Sequence, residues 1–218
     1  MKNNQDLQKD VQDAIKWDPL LKSAEISVGA KDGLITLSGI VKSYPDKLQA
    51  ETIAKSVCGV KAIVEHITVN TGNHDEISDE EIAKDILAAL KLIGVHSDHI
   101  QVQVEEGHVT LDGEVQYNFQ KEASGNAAGN VKGIKILTNN ISVKAETNND
   151  LERKVVEHAL LRYSSTADQN IRVKVSGNTI TLNGAVYSFY QKEEAAKIAW
   201  NAPGVLMVNN ELVIESDN

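Results

Sequence analysis

The chain has 218 residues, a formal net charge of −9 and 41% hydrophobic residues, with only two Phe and two Trp. That is an ordinary globular balance with an aliphatic core. It excludes a membrane-spanning helix, because no run approaches ~18 apolar residues, and it argues against nucleic acid, because no segment carries the basic face that phosphate neutralisation needs.

Taken in chain order, residues 5–17 repeat apolar side chains at three and four (Val11, Ala14, Ile15), which predicts an amphipathic helix. Two alternating runs follow, Ile26-x-Val28-x-Ala30 and Ile35-x-Leu37, joined by the short loop "KDG". Alternation means strands with one buried face, and the loop predicts a hairpin. Gly39 ends the second strand, where the chain must bend toward the next helix and a residue without Cβ permits positive φ or close backbone approach. A second helix is predicted over 44–57 and closed by Gly59 as a C-cap, with a last aliphatic strand over 62–69.

The pattern then restarts. "GLITLSGIV" at 33–41 returns as "GHVTLDGEV" at 107–115 and "NTITLNGAV" at 178–186. Counting from Gly39, Gly113 and Gly184, a second glycine falls 20 residues later in each copy, at Gly59, Gly133 and Gly204. Aliphatic residues hold the same register before and after (Val28, Val102, Val173; Ile67, Ile141, Leu212). First helices are expected over 79–92 and 150–163, second helices over 118–131 and 188–202, and last strands over 136–143 and 207–214. In the middle copy Ser78 with Glu81 makes a capping box, which accounts for the acidic run "HDEISDEE" without a metal. A repeat of ~70 residues is long enough for a domain with its own core.

The expectation is therefore an α+β protein of three tandem α-β-β-α-β domains, spanning 1–72, 73–147 and 148–218. The hairpin is antiparallel and a β-α-β crossover favours parallel strands, so each domain should hold a three-stranded mixed sheet covered on one face by two helices. Charge is uneven: the first domain is neutral, the second −7 and the third −2.

The chemistry-bearing residues do not assemble into a catalytic pattern. His96, Asp98 and His99 are close in sequence but make a solvated loop rather than a defined metal site. The lone Cys58 aligns with Lys132 and Pro203 and reads as a buried or half-buried free thiol in a reducing compartment. No Ser/His/Asp order, Walker motif or paired-carboxylate cleft recurs across copies. No catalytic, cofactor or metal residue is assigned, and a metal-dependent enzyme is the weakest of the alternatives.

Aromatic residues gather at the start of the second helices: Tyr44 in the first copy, Tyr117 and Phe119 in the second, Tyr187, Phe189 and Tyr190 in the third. Core packing competes there with a contact surface for lipid headgroups or a partner. Tyr117, Phe119, Phe189, Tyr190 and Trp200 are the candidate contacts. Trp200 is placed by helical geometry away from the face of Ile198 and Ala202, which predicts an outward ring available to a neighbouring domain or a partner. Gly125 and Gly129 lie inside the second copy's second helix, where each costs ~1 kcal/mol relative to Ala. Either that helix packs closely on something, or it is locally loose.

The motifs "ITLSGIV" with "GVKAIVEHITV", "VTLDGEV" with "GIKILTNNISV", and "ITLNGAV" with "GVLMVNNELVI" resemble the BON domain of bacterial osmotically induced proteins. The resemblance covers nearly the whole chain. It implies a non-enzymatic role: phospholipid or protein binding under osmotic or envelope stress, or, as an alternative, potassium binding as in a cytoplasmic branch. It departs from the pattern in two ways, since envelope members carry an export signal and two domains, and the potassium branch adds a peptidoglycan-type domain. The start "MKNNQDLQKDVQDAIKW" has no apolar leader core, so the cytoplasm is expected, or the periplasm if a leader has been removed.

Overall fold

The computed structural model describes residues 3–22, 24–70, 77–94, 99–144, 156, 158, 159, 171–202 and 204–215. In the first domain, helix α1 (Asn4–Trp17) is capped by Asn3, whose side chain accepts from the Asp6 amide, and buries Leu7, Val11 and Ile15. Strands β1 (Glu25–Lys31) and β2 (Leu34–Val41) form an antiparallel hairpin. Helix α2 (Tyr44–Ser56) is capped by Ser43, and β3 (Ala62–Val69) returns parallel to β2.

The second domain repeats this with α3 (Asp79–Leu92), β4 (Ile100–Glu105), β5 (His108–Val115) and α4 (Asn118–Gly129). The capping box of Ser78 and Glu81 forms as expected. The last strand is broken into β6 (Ile136–Asn139) and β7 (Ser142–Val143), both parallel to β5. In the third domain, β8 (Arg172–Ser176), β9 (Thr179–Val186), α5 (Phe189–Trp200) and β10 (Met207–Ile214) keep the same order and pairing. The helix expected over 150–163 lies outside the described residues, apart from Val156, His158 and Ala159.

In each domain the hairpin is antiparallel and the crossover pair parallel, so all three sheets are mixed, with the middle strand contributed by the repeated motif. Three separate hydrophobic clusters result, built on Ile35/Leu37, Val109/Leu111 and Ile180/Leu182. These residues alternate with the Thr of the motif, which lies half-buried on the other face of the sheet.

The glycine expected to end the second strand lies inside it, two residues before the end at Val41 and Val115, and close approach explains it. Gly39 has φ +152° and Gly113 φ +141°, and a Cβ would strike the carbonyl of Glu25 in the first domain and of His99 in the second. The later glycines differ from the expectation. Helix α2 ends at Ser56 with Val57 as its cap, and α4 ends at Gly129 with Asn130 as its cap. Gly59 and Gly133 instead turn the following loop at φ +97° and +91°. A Cβ on Gly133 would stand 2.8 Å from Ile82 Cδ1, so the missing side chain lets the loop lie against the first helix.

Between the second helix and the last strand, the copies use two chemistries for one link. Asn139 donates to the Lys121 carbonyl at 3.0 Å and Asn210 to the Lys192 carbonyl at 2.6 Å. At the equivalent place in the first domain, Glu65 lies 3.4 Å from the Lys47 ammonium. Burial pushes the Glu65 carboxyl above its usual range, and the Lys47 charge offsets this only in part.

Candidate functional site

The aromatic residues at the second-helix starts divide into three environments. Tyr44, the first residue of α2, leaves its own domain and joins the hydrophobic cluster of the second, where it is buried with Ala128 and Val109, and part-buried Leu137 packs against the same cluster. Its ring edge lies over Gly129: a Cβ there would sit 3.4 Å from Tyr44 Cε1. Burial, followed by the charges of Glu51 and Glu65, raises the Tyr44 hydroxyl above its ordinary range and keeps it neutral. The glycines inside α4 thereby gain separate explanations. Gly129 admits Tyr44, and Gly125 clears space for the Asn139 amide, which a Cβ would approach to 2.8 Å. Of the two alternatives left by the sequence, close packing is the one observed.

Phe189, the first residue of α5, occupies a second junction. The Lys55 ammonium of α2 stands 5.3 Å from the centre of its ring, in cation–π geometry. Lys55 also pairs with Glu193 of α5 at 2.7 Å and with Glu51 of its own helix at 2.9 Å. Burial alone would depress the Lys55 pKa, but the hydrogen bonds and charges of Glu193 and Glu51 reverse this and raise it. Beside this pair the half-buried Cys58 thiol donates to the Tyr187 carbonyl at 3.6 Å. The first domain thus contacts both others through opposite ends of one helix.

Tyr117 and Phe119 remain on the surface. Their rings stack at 5.6 Å with 18° between planes, and they are 55% and 62% exposed. Tyr190 is also partly exposed, at the start of α5. Trp200 corrects the outward reading: it is half-buried and packs on the third domain's own cluster. Its neighbours Ile198 and Ala199 are buried, and the indole is long enough to reach back along the helix end onto that cluster.

One surface escaped the sequence reading. Trp17 at the end of α1 and Leu92 at the end of α3 are each 87% exposed. They occupy the same place, two residues beyond the buried Ile15 and Leu90. Leu20 extends the first tip and Ile93 the second, both exposed, and Lys16 and Lys91 precede the exposed pairs. The available signal was a large apolar residue at an off-face position in two successive first helices.

Among the described residues, no group of three or more His, Cys, Asp or Glu is placed to hold a metal ion, and His99 is exposed. His96 and Asp98 lie outside the described residues. Among the described residues, no helix is long and apolar enough to cross a membrane.

Comparison with known proteins matches this architecture. The BON domain model fits residues 3–71, 78–145 and 148–216, which together cover nearly the whole chain. Osmotically-inducible protein Y of Escherichia coli (strain K12) is 29% identical over 137 residues, covering 57% of this chain and 64% of that protein. The chain therefore spans less than two thirds of the length of this curated relative. Two solved structures of CdsD, a structural protein of the type III secretion system of Chlamydia trachomatis, align over 98% of the chain at 17% and 18% identity. Their TM-score of 0.27 is too low to bear on the domain arrangement. Three matches to one domain model, each laid over a complete α-β-β-α-β unit or its described part, place the chain in the BON-domain family.

Proposed function

We propose that this is a non-catalytic binding protein of the osmotic stress response that docks on phospholipid surfaces through the exposed tip of its first domain. The observation that carries the reading is the paired exposure of Trp17 and Leu20 at the end of α1, beside Lys16 and Lys22. A tryptophan ring with an apolar body and a polar N–H suits the headgroup boundary, and adjacent lysines suit phosphate. The equivalent tip of Leu92 and Ile93 sits on a domain of charge −7, which opposes approach to an anionic bilayer. The neutral first domain is therefore the docking element, and the second contributes on uncharged surfaces. The osmotic context rests on the family and on the similarity to osmotically-inducible protein Y.

Flotation of the full chain with vesicles of phosphatidylethanolamine and phosphatidylglycerol tests this. The unsubstituted chain should float, and Trp17→Ser with Leu20→Ser should abolish flotation while leaving the folded signal unchanged. A doubly substituted chain that floats as well as the original overturns the reading.

A further inference from the structure

The two domain junctions use the same pair of repeat positions. Tyr44 and Phe189 each lie five residues beyond the glycine of their middle strand, Gly39 and Gly184. Gly129 and Lys55, on which those rings rest, each lie sixteen residues beyond theirs, Gly113 and Gly39. In both cases the ring at the start of one second helix seats on the far end of a neighbour's second helix. The contact is heterologous: the two sides present different surfaces, so a domain can donate at one end and accept at the other.

Following donor to seat gives a spatial order that differs from the chain order. The third domain donates Phe189 to the first, and the first donates Tyr44 to the second. A heterologous contact left open at both ends propagates into rings or filaments. Here the open ends carry residues unlike those that pair. The second domain's donor position is Asn118, short and polar, flanked by Tyr117 and Phe119, which stack on one another in solvent. The third domain's seat is Trp200, whose side chain is half-buried and packs on the domain's own cluster.

We infer that these two repeat positions form a domain-recognition code: an aromatic donor pairs with a glycine or lysine seat to set the order third–first–second, and Asn118 and Trp200 end the array against further copies. The partner that the code selects is another domain of this type. The aromatic residue supplies the contact area, and the seat is either empty (Gly129) or cationic (Lys55), each of which accepts a ring. A tryptophan fills the seat position with its own bulky side chain, and an asparagine offers no ring. The termination resembles the capping of other repeat arrays, where end units carry altered faces that prevent association.

The test uses the full chain, with light scattering for mass and small-angle X-ray scattering for dimensions. Tyr44→Asn and Phe189→Asn, each borrowing the second domain's residue, should leave a monomer whose radius of gyration rises as one junction opens. If neither expands, the code is wrong. Asn118→Phe with Trp200→Gly should restore both missing halves and produce species of at least twice the monomer mass, growing with concentration. Because Trp200→Gly removes part of the third domain's packing, Trp200→Lys, the first domain's own residue, serves as a second version with the same expectation. A well-folded double variant that stays monomeric overturns the termination half of the proposal, as does association of the unsubstituted chain through Tyr117 and Phe119. If both double variants unfold, the two asparagine variants still decide the pairing half.

Discussion

Tyr44 belongs by sequence to the first domain and by packing to the second, its ring edge resting on the Cα of Gly129, where an added Cβ would lie 3.4 Å away. The relationship makes a mid-domain glycine a contact residue. It also separates the two glycines of α4 in a way that substitution can reveal.

Gly129→Leu should displace Tyr44 and separate the first two domains. Gly129→Ala lies at the edge of tolerance, so the helix-propensity gain of ~1 kcal/mol should roughly cancel the contact. Gly125→Ala should destabilise the second domain by about 1 kcal/mol, because its Cβ displaces the Asn139 amide from the Lys121 carbonyl and strands a part-buried donor. Urea unfolding of the three variants, with scattering for the first, distinguishes these outcomes. Equal effects at the two glycines would contradict the assignment.

The strand glycine admits no such latitude. Gly113→Ala places a Cβ against the His99 carbonyl at φ +141°, and that carbonyl immediately precedes Ile100, the strand partner of Gly113, so the two chains have little room to separate. A loss of about 2–3 kcal/mol is expected in denaturant midpoint, with helix content retained in the other domains. A neutral substitution would show that the hairpin tolerates a wider spacing.

The contact of Lys55 with Glu193 and Phe189 should appear as coupling. A double-mutant cycle of Lys55→Met and Glu193→Gln is expected to give an interaction of about 1 kcal/mol, more than most exposed pairs because the lysine is largely enclosed. Additive single effects would mean that the pair holds nothing together.

Both junctions share a pH dependence. The Lys55 pKa is raised above 10.5 in the folded chain and the Tyr44 pKa above 10.0. A raised folded-state pKa contributes stability that is complete below the unfolded value and is lost as pH rises through the folded one. The radius of gyration should therefore hold steady through neutral pH and increase only in strongly alkaline solution, as Tyr44 and Lys55 lose their protons. Glu65 follows the same sign at the acidic end. Its raised carboxyl makes folding less favourable above 4.5, so Glu65→Gln should match the original chain below that pH and exceed its stability at pH 7. Lys47 also donates to the Ile67 carbonyl at 3.2 Å, a partner that the substitution does not remove.

The period of the apolar residues carried the units into view, because Ile35, Leu37 and their counterparts must alternate to bury one sheet face. The Ser78–Glu81 box was legible for the same reason: its chemistry is local. Gly129 and Gly125 were visible only as costs, since the atoms that require them come from Tyr44, in another domain, and from Asn139, in another element. Trp200 was misread because helical angle sets where a Cβ points, not how far an indole reaches. Trp17 and Leu92 escaped because an apolar residue off the buried face has no periodic partner, and its exposure emerges only once the core is accounted for.

The most direct test of the proposed membrane docking is the fluorescence of Trp17, isolated by Trp200→Phe in the full chain. Trp17 is 87% exposed, so its emission in buffer should be that of a solvated indole. On addition of phosphatidylethanolamine–phosphatidylglycerol vesicles the emission should shift to shorter wavelength and become protected from a soluble quencher. An emission maximum and quenching that stay unchanged at saturating lipid would contradict docking through this tip.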